Sequence, residues 1–376
     1  MIIQGKYNSA EIFTENIDEE SIRQIYNILN NPGFIDSHIS IMPDVHAGKG
    51  SVIGLTMSFN NYIIPTVVGV DIGCGMNAYK IGRDDVDLKS LDKFIHSAIP
   101  SGKEVRISPV ESKFIESEEL LRLIKKVTED DFDRVIRSIG SLGGGNHFIE
   151  LDKDPENNIW LVVHSGSRNL GLKVCNYHQN RAKEYIKKEF NGSRAYNDIE
   201  FMPMDEGGSE YLEDMKITQE YALQNRYTMC MIILEDFFGK KIKDCESIIS
   251  VHNYINFNDK IVRKGAISAH DGEKVIIPLN MRDGSIVARG KGNKNWNFSA
   301  PHGAGRILSR SGAKKTVSLE EYKETMKNVY SSNVNKSTID ESPMAYKPSE
   351  EIIGLINDTA NIDFIMKPIY NFKGGE

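Results

Sequence analysis

Cysteine is scarce and scattered. Cys74, Cys175, Cys230 and Cys245 are the four thiols in 376 residues, and no CxxC pair occurs among them. That spacing excludes a zinc ribbon and a disulfide framework, and it fits a reducing compartment. A long apolar run is also missing. No stretch is long enough to span a bilayer, and Met1-Ile2-Ile3-Gln4-Gly5-Lys6 lacks the apolar segment of a secretory leader, so a cytoplasmic protein without a membrane partner is expected. There is no Walker lysine followed by Ser or Thr, and no GxGxxG before a helical pattern. Any nucleotide site therefore lies outside the P-loop and Rossmann classes. Repeats, low-complexity tracts and flexible linkers are absent. With 40% hydrophobic and 26% charged residues, the chain reads as a single domain, residues 1–376, with a substantial core.

Acidic residues are missing from one region although the net charge is −7. From Gly284 to Leu319 there is no Asp or Glu, while Arg289, Lys291, Lys294, Arg306, Arg310, Lys314 and Lys315 all carry positive charge. The stretch reads either as a phosphate-binding face or as a solvated basic loop. Trp296 and Phe298 lie within it, as bases' stacking partners or as loop anchors.

Periodicity points to an α+β fold with mixed β-sheets, surrounding helices and a site built at strand ends and in loops. Amphipathic helical patterns cover Glu19 to Leu29, Leu88 to Ile99, Asp130 to Ile139, Leu172 to Phe190, Glu210 to Phe238, Ser318 to Tyr330 and Ser349 to Thr359. Apolar β-branched runs at Tyr62 to Val70, Ile159 to Val163, Ser247 to Val251, Lys274 to Ile277 and Ser285 to Ala288 read as strands. Asp71, Cys74, His164 and His252 follow such runs directly, where a rigid scaffold would hold them.

These residues are a sufficient ligand set for two transition-metal ions, because a thiolate can bridge both. Asp71 and Cys74 are separated by two residues, with Gly73 and Gly75 beside the sulfur, so a tight turn can aim both at one point. The alternative for Cys74 is a small packing residue, as expected for the other three cysteines. Gly143-Gly144-Gly145-Asn146-His147-Phe148-Ile149-Glu150 joins an anion-friendly glycine turn to an amide, an imidazole and a carboxylate. His164-Ser165-Gly166-Ser167-Arg168 leads into a helix whose N–H groups can cradle phosphate. His302 lies inside the acid-free stretch, where surrounding positive charge favours a neutral, nucleophilic imidazole. Nucleophile and further metal ligand both stay open for it. His46 and Lys49 have a plausible polar setting, while His38, His96, His178 and His270 read as surface or packing residues.

Taken in order, Met42-Pro43-Asp44-Val45-His46, Asp71-Ile72-Gly73-Cys74-Gly75-Met76, the Gly143–Glu150 segment, His164-Ser165-Gly166-Ser167-Arg168, Asn225-Arg226, His252-Asn253-Tyr254, His302-Gly303-Ala304-Gly305-Arg306, Ala345-Tyr346-Lys347 and Lys373-Gly374 resemble the RtcB-type RNA ligases over nearly the whole chain. Those enzymes join RNA 3′-phosphate ends to 5′-hydroxyl ends. The resemblance implies two manganese ions, with Asp71 and His147 at one, His164 and His252 at the other, and Cys74 bridging. It implies that GTP guanylylates His302 and that GMP passes to the RNA 3′-phosphate, which the 5′-hydroxyl then attacks. A 2′,3′-cyclic phosphate would first be opened. Asn146, Phe148, Glu150, Asn280, Ser285 and Lys373 would contact the guanosine nucleotide, and Arg168, Asn253, Arg306 and Arg310 the phosphates. Implied partners are broken or spliced RNA, tRNA among them, and an archease-like activator. Ligand softness alone favours zinc or iron, so metal identity follows the resemblance. The chain departs from the family at Pro278-Leu279-Asn280-Met281-Arg282-Asp283-Gly284, where Arg282 brings bulk and charge to a position expected to be glycine. Two other readings remain: a dinuclear RNA phosphoesterase that activates water, and a noncatalytic binder of RNA ends.

Overall fold

The computed structural model describes residues 1–374 except Asn60 and Glu129. Two large sheets organise it, and the class is α+β, as expected. The first sheet has six strands in the spatial order Ile2–Gln4, Ser9–Ile12, Ile39–His46, Ile53–Ser58, Ile261–Lys264 and Asn253–Asn256. The second has seven, entirely antiparallel: Ser247–Val251, Gly75–Gly82, Ile159–Ser165, Phe148–Lys153, Ala360–Lys373, Gly284–Gly290 and Lys274–Asn280. Ser247–Val251 and Asn253–Asn256 belong to different sheets, so His252 sits at the crossing between them.

The two-residue period of a strand explains which face bears the site. On Phe148–Lys153, Ile149 and Leu151 pack with Leu161, Val163 and Met229 beneath the helix Ser209–Ile232. Phe148 faces the other way, with Met76, Trp160 and Val162. His164 follows Val162 by two residues and shares that second face. The helix Ser209–Ile232 contains no glycine or proline and buries one side along most of its length, including two polar residues, Asn225 and Arg226.

Several expectations change. The run Tyr62 to Val70 is not one strand: Tyr62–Ile63 pairs with Met202–Pro203, and Pro65–Val68 is a helical turn. Pro65 explains it, because its fixed φ and missing N–H suit the first helical position. Asp71 and Cys74 therefore precede a strand, Gly75–Gly82, and follow none. His164 lies inside its strand, which continues to Ser165. The helix expected over Asp130 to Ile139 covers Phe132–Arg137, and Glu118–Val127 is an additional helix capped by Ser117. Trp296 and Phe298 are not free to stack on bases. Trp296 is buried against Phe13 with ring centres 3.9 Å apart, and Phe298 stacks on His270 at 4.9 Å. Cys175 and Cys230 are buried, whereas Cys245 is half-buried. Among the described residues no helix is long and apolar enough to cross a membrane.

Candidate metal and nucleotide site

Five segments converge at the strand ends of the seven-stranded sheet. Asp71 and Cys74 are set by a turn in which Gly73 takes φ +72°, and the Cys74 amide donates to the Asp71 carbonyl at 3.2 Å. The turn is stitched to the crossing segment: Gly73 N–H donates to Asn253 O at 2.6 Å, and His252 N–H to Cys74 O at 2.9 Å. Asp71 also lies against Gly166, where a Cβ would fall 2.0 Å from its Oδ1. Only glycine fits there.

Cys74 Sγ lies 3.3 Å from His164 Nε2 and 3.6 Å from His147 Nε2. His147 Nε2 is 3.0 Å from Asp71 Oδ2, and His164 Nε2 is 3.3 Å from His252 Nε2. Two triplets of donor atoms result, Asp71–Cys74–His147 and Cys74–His164–His252, each within 4.8 Å, with the sulfur common to both. The backbone fixes the tautomers. His147 Nδ1 lies 3.0 Å from Leu142 O and His164 Nδ1 3.2 Å from Asn146 O, so each Nδ1 carries a hydrogen and leaves Nε2 as the inward-facing nitrogen, which binds a metal ion once any proton on it is displaced.

The electrostatics agree. Burial pushes the Cys74 thiol well above its ordinary pKa, and the Asp71 charge adds to that. Burial pushes the His164 and His252 imidazoles well below theirs, and the neighbouring imidazoles lower them further. For Asp71, burial works upward, but the contacts with His147 and Cys74 bring its carboxyl down to about 2. Lone pairs, one carboxylate and a thiol thus face each other with few protons to share. A cation is the group that turns this arrangement from repulsive to attractive and holds the sulfur as thiolate, so the donor set fits one or two metal ions.

Beside this cluster opens a cleft of about 840 Å³, lined by His164, His252 and His302 on its floor. The His302 ring centre is 5.0 Å from that of His252. His302 Nδ1 meets Asp44 Oδ2 at 2.7 Å, and Asp44 is fully buried on the strand Ile39–His46. Sequence reasoning gave Asp44 no role. It also expected only positive charge around His302, and the buried carboxylate overturns that: the stretch from Gly284 to Leu319 is acid-free along the chain but not in space. The same holds at the rim. Arg306 pairs with Glu341 at 3.2 Å, Arg310 with Asp340 at 3.6 Å and Glu341 at 3.4 Å, and Lys373 with Glu341 at 3.5 Å. Tyr346 donates its hydroxyl to Glu341 at 2.5 Å.

Asn146, Phe148, Glu150, Asn280, Arg306, Arg310 and Lys373 all line the cleft, as do His46 and Lys49. Lys373 Nζ sits 5.5 Å from the centre of the Phe148 ring. Burial raises the Glu150 carboxyl, against the pull of Asn371 and Lys373, and raises its neighbour Asp152 further. Ser285 is fully buried, and its hydroxyl has no hydrogen-bond partner among the described residues. Arg168 and Asn253 belong to the framework. The Arg168 guanidinium donates to Ser141 Oγ at 3.2 Å and Gly102 O at 2.8 Å, and Asn253 Oδ1 accepts from Gly265 N–H at 2.9 Å. Arg282 does not intrude; it turns onto Asp283 at 2.7 Å, and Asn280 caps the same turn.

The sequence has relatives. The profile of the family described as tRNA-splicing ligase RtcB matches residues 24–374. The chain is 32% identical to RNA-splicing ligase RtcB of Escherichia coli K12, with 95% of each chain covered. It is likewise 32% identical, at the same coverage, to RNA-splicing ligase RtcB1 of another Escherichia coli strain. Against tRNA-splicing ligase RtcB of Methanococcus maripaludis the identity is 28%, over 100% of this chain and 95% of the relative. With the profile spanning most of its length, the chain belongs to the RtcB ligase family.

Proposed function

We propose that this chain is an RNA ligase that joins RNA 3′-phosphate or 2′,3′-cyclic-phosphate ends to 5′-hydroxyl ends through a guanylylated His302. It works in the cytoplasm as one catalytic domain, in tRNA splicing or RNA repair, with GTP and two manganese ions; an archease-like activator is a candidate partner. One observation carries the reading: His302 lines the cleft beside the metal-ligating cluster, and its Nδ1 is tied to buried Asp44 at 2.7 Å.

Asp44 accepts a hydrogen bond from His302 Nδ1–H and so leaves the Nε2 lone pair for attack, the orienting role a carboxylate plays behind any nucleophilic or basic imidazole. Attack on the α-phosphorus of GTP forms the N–P bond and breaks the bond to pyrophosphate. Phe148 offers a ring face to guanine, while Asn146, Glu150, Asn280 and Lys373 supply polar contacts around the nucleotide. Arg306 and Arg310 place positive charge where phosphate oxygens would lie. GMP then moves from His302 to the RNA 3′-phosphate. A phosphate monoester is a poor electrophile, and the attached nucleotide provides the leaving group that the 5′-hydroxyl displaces. Asp71, Cys74 and His147 would hold one ion, and Cys74, His164 and His252 the other; when bound, the metal supplies Lewis-acid charge to phosphoryl oxygens beside the histidine.

Incubation with α-labelled GTP and manganese should label the wild-type protein and not His302→Ala. Absence of label from wild type discards the mechanism. Phosphate release from cyclic-phosphate RNA without GTP, and with no joined product, would instead support the phosphoesterase reading.

A further inference from the structure

Asn225 and Arg226 stand at the middle of the helix Ser209–Ile232, both fully buried, and neither enters the chemistry proposed above. A buried guanidinium is costly, and a well-packed apolar side chain of similar size often gives equal or greater stability. Arg226 donates hydrogen bonds to amide and carbonyl oxygens. Nη1 donates to Gly73 O at 2.6 Å and to Ser165 O at 2.9 Å, and Nε donates to Asn77 Oδ1 at 2.8 Å. Gly73 and Ser165 are the immediate neighbours of Cys74 and His164. One nitrogen of one side chain therefore locks together the backbone beside two donor groups.

Asn225 does the same for the next loops. Its Oδ1 accepts from Gly140 N–H at 2.8 Å and Ser141 N–H at 3.1 Å, and its Nδ2 donates to Ser165 Oγ at 3.2 Å and Gly166 O at 3.0 Å. Ser165 Oγ in turn donates to Leu142 O at 2.7 Å, the carbonyl that also holds His147 Nδ1. A continuous path runs from Asn225 through Ser165 and Leu142 to the His147 ring. Gly166, its other partner, is the residue on which Asp71 rests.

We infer that Asn225 and Arg226 are positioning residues that set the geometry of the metal cluster from beneath, Arg226 through the Cys74 and His164 backbones and Asn225 through the His147 loop and the Asp71 seat. The inference rests on the reading of Asp71, Cys74, His147, His164 and His252 as metal ligands. Loss of groups that orient ligands lowers metal affinity by about 10- to 100-fold in other metal sites, and that is the size expected here.

The test is a cobalt(II) titration of the metal-free full chain. The thiolate-to-cobalt charge-transfer band and the dissociation constant are read for wild type, Cys74→Ser, Arg226→Lys and Asn225→Ser, with circular dichroism and the urea midpoint recorded in parallel. Wild type should give a band that Cys74→Ser lacks. Arg226→Lys keeps the charge but loses the fork, and should bind cobalt about tenfold or more weakly with an altered band while remaining folded. If wild type shows no Cys74-dependent band, the metal-site reading itself fails. If wild type shows it and the folded variants match wild type in both band and affinity, the positioning inference is overturned and the metal site stands. Should Arg226→Lys not fold, Asn225→Ser decides alone: weakened cobalt binding with an intact dichroism spectrum supports the inference, and unchanged binding or a lost fold overturns it.

Discussion

The donor cluster around Cys74 and the cationic rim border one cleft and are held in different ways. Around Cys74, the imidazoles of His147 and His164 are aimed by main-chain carbonyls, and the Asp71–Cys74 turn is bonded to the crossing segment at His252 and Asn253. Leu142 and Asn146 lie in the loop that runs into the strand Phe148–Lys153, and His252 directly follows the strand Ser247–Val251, so the cluster is anchored to the sheet. At the rim, Arg306, Arg310 and Lys373 are held by carboxylates of Asp340 and Glu341, on a 3-10 turn, Ile339–Glu341. Such pairs can exchange a carboxylate for a phosphate. Arg310, 45% exposed, gains little from its ion pairs before a ligand arrives. The cluster is thus built for fixed geometry, and the rim for a partner that comes and goes.

His302 lies between the two, and the largest effect is expected there. Asp44→Asn should slow guanylylation about 10³- to 10⁴-fold, as when an orienting carboxylate behind a catalytic imidazole becomes an amide. Metal content should be unchanged, because Asp44 touches no residue of the cluster's donor set. Rapid labelling with GTP by this variant would show that Asp44 orients nothing.

A change at the rim should be smaller and confined to the nucleotide. Arg306→Ala removes a cation that phosphate would take over from Glu341, and should raise the KM for GTP about tenfold, the size of one lost charge-assisted hydrogen bond, with cobalt affinity as in wild type. Cobalt binding that falls together with GTP affinity would show that the two sides are not separable.

A change in stability, not in catalysis, is expected at the cleft segment around Lys49. Lys264 is buried and donates to Lys49 O at 2.6 Å, Ser51 Oγ at 3.1 Å and Thr66 O at 3.3 Å, anchoring the cleft segment at Lys49. Burial brings its pKa down to about 7 from 10.5. The folded state therefore binds fewer protons than the unfolded state between those values, and stability from this group rises with pH across that window, by at most about 1.4 kcal/mol per pH unit. Below about pH 7 that contribution is lost. Urea unfolding at pH 7 and pH 9 should show the gain in wild type and its disappearance in Lys264→Met; equal slopes would refute the shift.

Much of the cluster was legible because the motif carries it. Asp71, Cys74, His147, His164 and His252 are polar residues set among glycines and apolar runs, where packing gives them no purpose. Their partners were harder to read. Asp44 stands in the matched Met42–His46 segment, but it lies 258 residues from His302 and no local signal pairs the two. Asp340 and Glu341 escaped for the same reason, and with them the fact that the basic stretch is neutralised from elsewhere. Asn225 and Arg226 were visible as part of the family match, but their role depends on partners far away in the chain, which only the buried helix brings together. Local chemistry accounts for the other departures. Pro65 ends a run that hydropathy alone reads as a strand. Ser117-Glu118-Glu119 followed by Lys125 and Lys126 is a capped, dipole-matched helix, with signals that hydrophobic spacing does not include.

The strand Ala360–Lys373 joins Phe148–Lys153 to Gly284–Gly290 in the interior of the second sheet and delivers Lys373 to the cleft. As the polypeptide leaves the ribosome, the free edge of Phe148–Lys153 must wait for a neighbour made some two hundred residues later. At about 5–20 residues per second that delay is on the order of ten to forty seconds. If the earlier strands pair during that time, the edge of Phe148–Lys153 stays open to other nascent chains. Safe production of this enzyme accordingly calls for something to shield that edge during translation, and slowing elongation late in the message should increase aggregation before it affects any catalytic step.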